Sequence, residues 1–561
     1  MGLFCKKSWY KDVAVYQIWT RSFCDGNGDG IGDLYGVYSK LDYIKSLGVD
    51  VIWFSPIYPS PNCDYGYDIS NYRDINPEFG DLEIFKKVLD GAHERGMKVI
   101  MDLVVNHTSV EHEWFKESKK GADNPYHDYY IWRKGKGKDG SKPPNNWLST
   151  FEGCAWEYNE DIAEYYLHVF AKGQPDLNMD NPKVREEVKE ILRFWLDMGV
   201  DGFREDVITF ISKKEGLPNG FPLPVATGIE HYANGPHTYE YLKEFKDDVL
   251  SKYDCFIVGE SPLVNIKRAL KYTTEGDGQV LQMMFSFDHM CADCFMVDYI
   301  PRPFNLKKMK KSFSKWQNTI NGIGWNSLYI ENHDHPRIIS RYGSEKYHDE
   351  SGKTLAAMYM LQQGTPYIYQ GQEIGMTNIK FDSIDQCKDV ATHNAYNIYK
   401  KLHFSEKATM NAVCKGSREN ARTPVQWDDS ENAGFTTGNP WFKINDNYKQ
   451  INVNNQENDE NSLLNFYRKL LKFRKENLSL LRDGSYHELM KNSSDFFVYE
   501  RINNDEKLLV IANFKEKPCK FKAPKGYDLE KGELVFYNYE ENPVDNNSFT
   551  TRPYELRVYK F

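Results

Sequence analysis

Short apolar runs alternate with longer amphipathic ones through most of the chain. Residues 13–18, 51–54 and 98–105 are β-rich. Residues 38–47 and 82–95 carry helical apolar spacing, and each run stops at a glycine, Gly48 and Gly96, as a helix C-terminus favours. The nearly unbroken apolar run 98–105 suits a strand buried on both faces of a parallel sheet. Further on, the pattern predicts helices over 184–197, 239–251, 266–272, 306–319 and 353–363. These lead to strands at 202–208, 256–259, 279–285, 326–330 and 366–369, and a last helix spans 462–475. Eight β/α repeats predict an α/β fold, a (β/α)8 TIM barrel. An open doubly wound sheet would need a glycine-rich phosphate-binding first turn, and none is present.

Two stretches break the alternation. Residues 107–174 are rich in Gly, Lys, Asn, Trp and Tyr, with a loop-like segment at 135–144. A loop that long predicts an inserted subdomain after strand 3. Beyond about 480 the apolar period drops to two, at 496–501, 507–514 and 554–561, which predicts a C-terminal antiparallel β domain. The expected organisation is a barrel from 1–106 and 175–480, a subdomain at 107–174, a loop-rich insertion near 372–430, and an all-β domain at 481–561.

Composition narrows the function classes. The chain has 561 residues, enough for two or three domains. It is 40% hydrophobic with a formal charge of −10, which argues against nucleic acid or an anionic membrane as partner. Aromatics reach 15%, which fits sugar-stacking surfaces and a large core equally. No run approaches the ~18 apolar residues of a membrane helix. Residues 1–7 lack the apolar region of a secretory signal, and position 6 is not the Ser or Thr of a myristoylation start. The ten cysteines are scattered, with one C-x-x-C at Cys291-Ala-Asp-Cys294, and are expected to be reduced thiols of a cytoplasmic protein.

The chemistry collects at predicted strand ends. In Gly202-Phe-Arg-Glu-Asp206-Val-Ile-Thr-Phe210, Arg204 and Asp206 share one face of a strand and Glu205 points the other way. An adjacent arginine favours an ionised carboxylate, and an ionised, oriented Asp is a nucleophile candidate; an ordinary structural ion pair is the alternative. The third strand leads to Asn106-His107, the fifth to Glu260, and the seventh to Glu331-Asn332-His333-Asp334. In a TIM barrel these ends form the active face. Three carboxylates there (Asp206, Glu260 and Asp334) would be costly to bury without use. A pair of carboxylates suits a retaining glycosidase. A metal hydrolase could use His107 and His333, but no H-E-x-x-H or H-x-x-E-H spacing supports one.

The segments Asp102-Leu-Val-Val-Asn-His107, Gly202-Phe-Arg-Glu-Asp206, Val258-Gly-Glu260 and Asn332-His-Asp334 resemble the four ordered regions of the α-amylase superfamily. Gln174-Pro-Asp-Leu-Asn178, Asn62-Cys-Asp64-Tyr-Gly-Tyr67-Asp68 and Ser417-Arg418-Glu-Asn-Ala-Arg422-Thr-Pro-Val-Gln-Trp427 are similar to its oligo-1,6-glucosidase group. The resemblance implies that Asp206 is the nucleophile, Glu260 the acid/base and Asp334 the transition-state stabiliser. It implies that Asp64, Tyr67, His107, Arg204, His333 and either Arg418 or Arg422 (Arg422 preferred) hold the terminal glucose. An arginine paired with Asp64 would close the pocket and make the enzyme exo-acting. Val207 is the group's residue for α-1,6 linkages, where threonine goes with α-1,4. Asp25-Gly-Asn27-Gly-Asp29-Gly-Ile31-Gly-Asp33 reads as a cation loop or as an Asx-rich turn. The resemblance favours a structural Ca²⁺, with Mg²⁺ as the lesser option and no organic cofactor. Asp25, Asn27, Asp29 and Asp33 would ligate by side chain and Ile31 by its carbonyl. The implied substrate is a small oligosaccharide, with no nucleic-acid or membrane partner, and the chain is expected to be a monomer.

Three places depart from the pattern. Glu205 stands where relatives carry an apolar residue, and on the helix side it is expected to need a partner. His335 follows the Asn-His-Asp triplet and is placed to touch the leaving group. Sucrose isomerases carry an Arg-Leu-Asp-Arg-Asp run where this chain has Cys291-Ala-Asp-Cys-Phe295, which argues against isomerisation but not against sucrose hydrolysis. Trehalose-6-phosphate hydrolases share the fold and need a phosphate-binding cluster not located in the sequence. A non-catalytic relative of the transporter heavy-chain type would have lost acids that this chain keeps.

Overall fold

The computed structural model describes residues 8–151, 153–223, 226–295, 297–539 and 547–561. The N-terminal stretch read for a signal or lipid site, with Cys5, lies outside the described residues. The chain divides into two compact units: one is built mainly of Trp53–Ser286, and the other of Trp9–Ile52, Phe287–Lys388 and Ala395–Phe561.

Eight strands carry the predicted pattern: β1 (Val15–Ile18), β2 (Val51–Phe54), β3 (Lys98–Leu103), β4 (Gly202–Glu205), β5 (Phe256–Glu260), β6 (Met283–Phe285), β7 (Ser327–Leu328) and β8 (Thr365–Tyr369). Their order in the sheet is β7-β8-β1-β2-β3-β4-β5-β6. In the first unit β3, β4, β5 and β6 pair in succession, all parallel. In the second, β7 pairs with β8 and β8 with β1, again parallel. Pairing of the first strand with the eighth is the join that a barrel makes.

Local chemistry sets the element ends. The helix Pro182–Met198 starts on Asn181, whose side chain caps Lys183 N, and has proline in its first turn. It stops at Gly199, where φ is 109°. At Gly202 a Cβ would lie 1.9 Å from the Phe256 carbonyl oxygen, so only glycine lets β4 lie against β5 there.

Several expectations are corrected. The helix expected over 38–47 is two short helices, Leu34–Ser39 and Leu41–Ser46. Asp33 caps Gly36 N and starts the first one early, and Lys40 leaves helical geometry between them. The strand expected over 202–208 ends at Glu205, because Val207 turns the chain with φ at 34°. The strand expected over 279–285 keeps only its last three residues: Val280 and Leu281 N–H both donate to the Tyr272 carbonyl instead of a ladder.

Within the first unit, Trp132–Arg133, Glu164–Leu167 and Trp156–Asn159 form a three-stranded antiparallel sheet in that order. Trp147, Trp156, Leu167, Phe210 and Tyr232 pack into one core with Val207, so this region buttresses the residue that follows Asp206. In the second unit, Ser485–Glu488, Phe496–Asn503, Glu506–Asn513, Leu556–Lys560 and Glu533–Tyr537 make a five-stranded antiparallel sheet. One face buries Val498, Leu509, Ile511 and Tyr559.

Candidate active site

Arg204 organises the site in the first unit. It sits on β4, almost wholly buried. Its Nη1 donates to Asp102 Oδ1 and to Asp206 Oδ1, each at 2.6 Å. Its Nη2 lies 2.9 Å from Glu260 Oε2, and the Trp53 ring covers the guanidinium at 5.4 Å. One fork thus holds three carboxylates, two on neighbouring strands and one just past the strand between them. Glu260 is fixed from a second side, accepting the Val207 N–H at 2.9 Å. Val207 holds its left-handed backbone despite β-branching, a strain of the kind found where a chain must aim a functional group. The strand geometry read for Arg204 and Asp206 is therefore wrong in detail: Asp206 lies past the strand, yet the pair still meets.

Arginine does not win the electrostatic contest alone. Burial raises the Asp206 carboxyl and Arg204 lowers it, but Glu260 and Asp102 raise it again, and the net direction is upward. Burial likewise pushes Asp102 up to about 6. Burial and the neighbouring carboxylates thus favour the neutral forms of Asp206 and Asp102, and Arg204 opposes them. Two carboxyls on opposite nitrogens of one guanidinium suit the short separation, about 5–5.5 Å, of a retaining pair.

Around this cluster, Tyr67 Oη donates to Asp102 Oδ2 at 3.2 Å. Gln174 Nε2 donates to Asp64 Oδ2 and to the Tyr67 carbonyl, each at 3.2 Å. His107 Nε2 is 3.0 Å from the same carbonyl, while Asn106 Nδ2 is 3.2 Å from its Nδ1. The Gln174 amide nitrogen also lies 3.1 Å from Nε2, so both ring nitrogens are engaged. Burial lowers His107 to about 4, so the ring is neutral at physiological pH. Lys213 braces Asn106 at 2.8 Å and Asp176 at 2.7 Å.

The second unit holds the rest of the expected residues. Asp334 Oδ1 accepts from Arg422 at 2.9 Å and from Arg418 at 3.2 Å, and its Oδ2 faces His333 Nε2 at 3.0 Å. Burial opposes the charge on Asp334, but His333, Arg418 and Arg422 outweigh it and hold the carboxyl well below its usual range. Gln17 Nε2 lies 2.7 Å from His333 Nδ1, which leaves the His333 proton facing Asp334. Arg422 Nε also donates to the His333 carbonyl at 3.1 Å, and its guanidinium stacks over Trp19 at 5.1 Å. Both candidate arginines thus reach Asp334, and Arg422 is the more firmly placed.

Asp102, Gln174, Gln17 and Asp176 carry positioning contacts that sequence reasoning left without a role. A signal existed for Asp102, an acid inside an otherwise apolar strand, and for Gln174, inside a quoted motif. Gln17 had none beyond being polar in β1.

Glu205 corrects an expectation. It is fully buried and neither carboxyl oxygen has a hydrogen-bond partner among the described residues. Burial pushes it up to about 8. The acid is accommodated by protonation instead of a partner. His335 has its Nδ1 2.5 Å from Asp298 Oδ2.

In the Asp25–Asp33 loop the oxygens fold back on their own backbone. Asp25 accepts the N–H of Asn27, Gly28 and Gly30, Asn27 accepts that of Asp29, and Asp29 accepts that of Ile31. Asp33 accepts from Gly26 and Gly36. The donor set is all oxygen and fits a hard divalent ion, since carboxylate oxygens keep a second lone pair.

A β/α barrel bearing carboxylates at its strand ends around a buried arginine is the architecture of a glycoside hydrolase. Residues 17–484 match the α-amylase catalytic-domain family and residues 496–558 match the C-terminal domain family of the α-amylase SusG. The chain belongs to the α-amylase family, with a (β/α)8 barrel and a C-terminal antiparallel β domain. It is 50% identical over 562 residues to an oligo-1,6-glucosidase of Parageobacillus thermoglucosidasius, covering 99% of each chain. Among solved structures, a mutant Bacillus licheniformis trehalose-6-phosphate hydrolase aligns at 44% identity with a TM-score of 0.93, over 98% of this chain and 99% of that one. A mutant isomaltulose synthase of Erwinia rhapontici bound to sucrose aligns at 39% identity with a TM-score of 0.92, over 98% and 99%.

Proposed function

We propose that this protein is a retaining, exo-acting α-glucosidase that removes terminal α-1,6-linked glucose from short oligosaccharides such as isomaltose. The observation that carries the reading is Arg204 holding Asp206 and Glu260 on its two terminal nitrogens. Asp206 attacks the anomeric carbon and displaces the aglycone, whose oxygen takes the proton of Glu260. The same carboxylate, now ionised, removes a proton from the water that releases glucose. Asp334 stabilises the developing positive charge of the sugar ring. Asp64, Tyr67, His107, Arg204, His333 and one of Arg418 and Arg422 hold the terminal glucose, and Val207 reads the linkage. The loop oxygens of Asp25, Asn27, Asp29, Ile31 and Asp33 hold a structural Ca²⁺ or, less favourably, Mg²⁺. The enzyme works as a cytoplasmic monomer; no described helix is long and apolar enough to cross a membrane.

The test is kcat/KM on isomaltose, panose, maltose, sucrose and trehalose-6-phosphate. Isomaltose and panose leading supports the reading. Trehalose-6-phosphate or sucrose leading replaces the substrate and keeps the mechanism.

A further inference from the structure

The one C-x-x-C of the chain sits in a turn that runs into the strand Cys294–Phe295. Neither cysteine is in a disulfide; Cys291 is partly exposed and Cys294 is buried. The Cys294 sulfur is in hydrogen-bond contact with the Cys291 sulfur, and the Asp298 carboxylate is also in its reach. Two thiols three residues apart and already touching need little backbone movement to be joined.

The surroundings favour a reactive Cys291. The contact from Cys294 lowers its thiol to about 7 against burial and the Asp298 charge, with smaller help from His335 and Lys308, while the same contact pushes the Cys294 thiol up. The thiols of Cys24, Cys63, Cys154, Cys414 and Cys519 are all pushed up by burial. Asp293, Cys294 and Asp298 also offer atoms close enough for a metal. The carboxylates there are already engaged: Arg341 Nη2 donates to Asp293 Oδ1 at 2.6 Å and to Asp298 Oδ1 at 2.9 Å, and His335 takes the other Asp298 oxygen. A guanidinium on two of three prospective ligands repels a cation and leaves the sulfur pair as the reactive feature.

We propose that Cys291 and Cys294 form a reversible disulfide site, oxidised by low-molecular-weight disulfides of the glutathione class. The Cys291 thiolate attacks one sulfur of the oxidant, forming a mixed disulfide and expelling one thiolate. Cys294 gives its proton to solvent and attacks the Cys291 sulfur, expelling the second thiolate. The oxidant gains two electrons and the protein loses them as two S–H bonds become one S–S bond. Oxidation removes the only proton that Cys294 can donate to Asp298.

The test uses the full-length protein and needs no substrate. The native protein is incubated with oxidised glutathione, quenched in acid, alkylated under denaturing conditions and mapped by mass. The peptide carrying Cys291 and Cys294 is expected to lose two hydrogens, escape alkylation and revert with dithiothreitol. Cys294→Ser is expected to stop at the mixed glutathione disulfide on Cys291, and Cys291→Ser to leave Cys294 unmodified. At neutral pH, Cys291 is expected to alkylate at least tenfold faster than the cysteines pushed up by burial. Both thiols remaining alkylatable, or a wild type that stops at the mixed disulfide, would overturn the proposal, as would one equivalent of zinc recovered with the purified protein.

Discussion

Replacing Glu205 by Gln removes a buried acid and keeps its shape. The carboxyl is held up at about 8 by burial, against an ordinary value of 4.5. The sign follows from proton counting. Between those two values the folded protein keeps the proton and the unfolded chain has lost it. Stability conferred by this residue is full below about 4.5 and falls as pH rises towards 8, by about 1.4 kcal/mol per pH unit. At pH 7 wild-type Glu205 therefore costs roughly 3 kcal/mol that Gln does not. The Gln amide is also unpartnered, but that penalty does not vary with pH. The difference between the two proteins should thus be smallest near pH 4.5 and grow in favour of Gln up to pH 8. For 561 residues, with an unfolding entropy of about 2 cal/mol/K per residue, it corresponds to a gain in Tm of about 3 °C at pH 7 relative to pH 4.5. Scanning calorimetry at matched rates, from pH 4.5 to 8, measures it. Other raised acids, such as Asp68 at about 6, are present in both proteins and cancel. A difference in Tm that does not change with pH would refute the reasoning, because it would mean that Glu205 ionises normally in the folded state.

The remaining predictions concern activity and the cation loop. Val207→Thr exchanges a methyl for a hydroxyl beside the acid/base, and the isomaltose-to-maltose ratio of kcat/KM is expected to fall about tenfold; an unchanged ratio removes Val207 from linkage selection. Arg204→Gln takes the shared cation off Asp102, Asp206 and Glu260, so kcat/KM is expected to drop by roughly 10²–10³. The acidic limb of its pH profile should move to higher pH, since Asp102 and Asp206 lose the charge that lowers them, and an unmoved limb would contradict that role of Arg204. Chelation of a bound Ca²⁺ should lower Tm and re-addition restore it, with a stabilisation of about 2.7 kcal/mol at a hundredfold excess over Kd; Asp29→Ala should abolish the response, and a chelator-insensitive wild type would favour the plain Asx turn.

Periodicity alone carried the barrel, because each strand–helix pair had to bury one face and the glycines marked the stops. It missed where β4 ends. Nothing in the composition of 202–208 shows that Val207 accepts a left-handed backbone, since that is enforced by the core around Trp147, Phe210 and Tyr232. The acids at the strand ends were legible as acids because charge is rare in apolar strands. Their pKa directions were not: Arg204 beside Asp206 suggested simple ionisation, but burial, with Glu260 and Asp102 on the same guanidinium, turns the net direction upward. The missing partner of Glu205 was illegible for the same reason, because burial without a neighbour is a property of the packed fold.

The most direct measurement is to trap the glucosyl-enzyme. A fluorinated α-glucosyl fluoride that forms the intermediate quickly and releases it slowly should add one fluoroglucosyl group per chain, mapped by mass to the peptide containing Asp206, with loss of the adduct in Asp206→Asn. A label on another carboxylate, or no adduct together with β-glucose as the first product of isomaltose, would contradict the account.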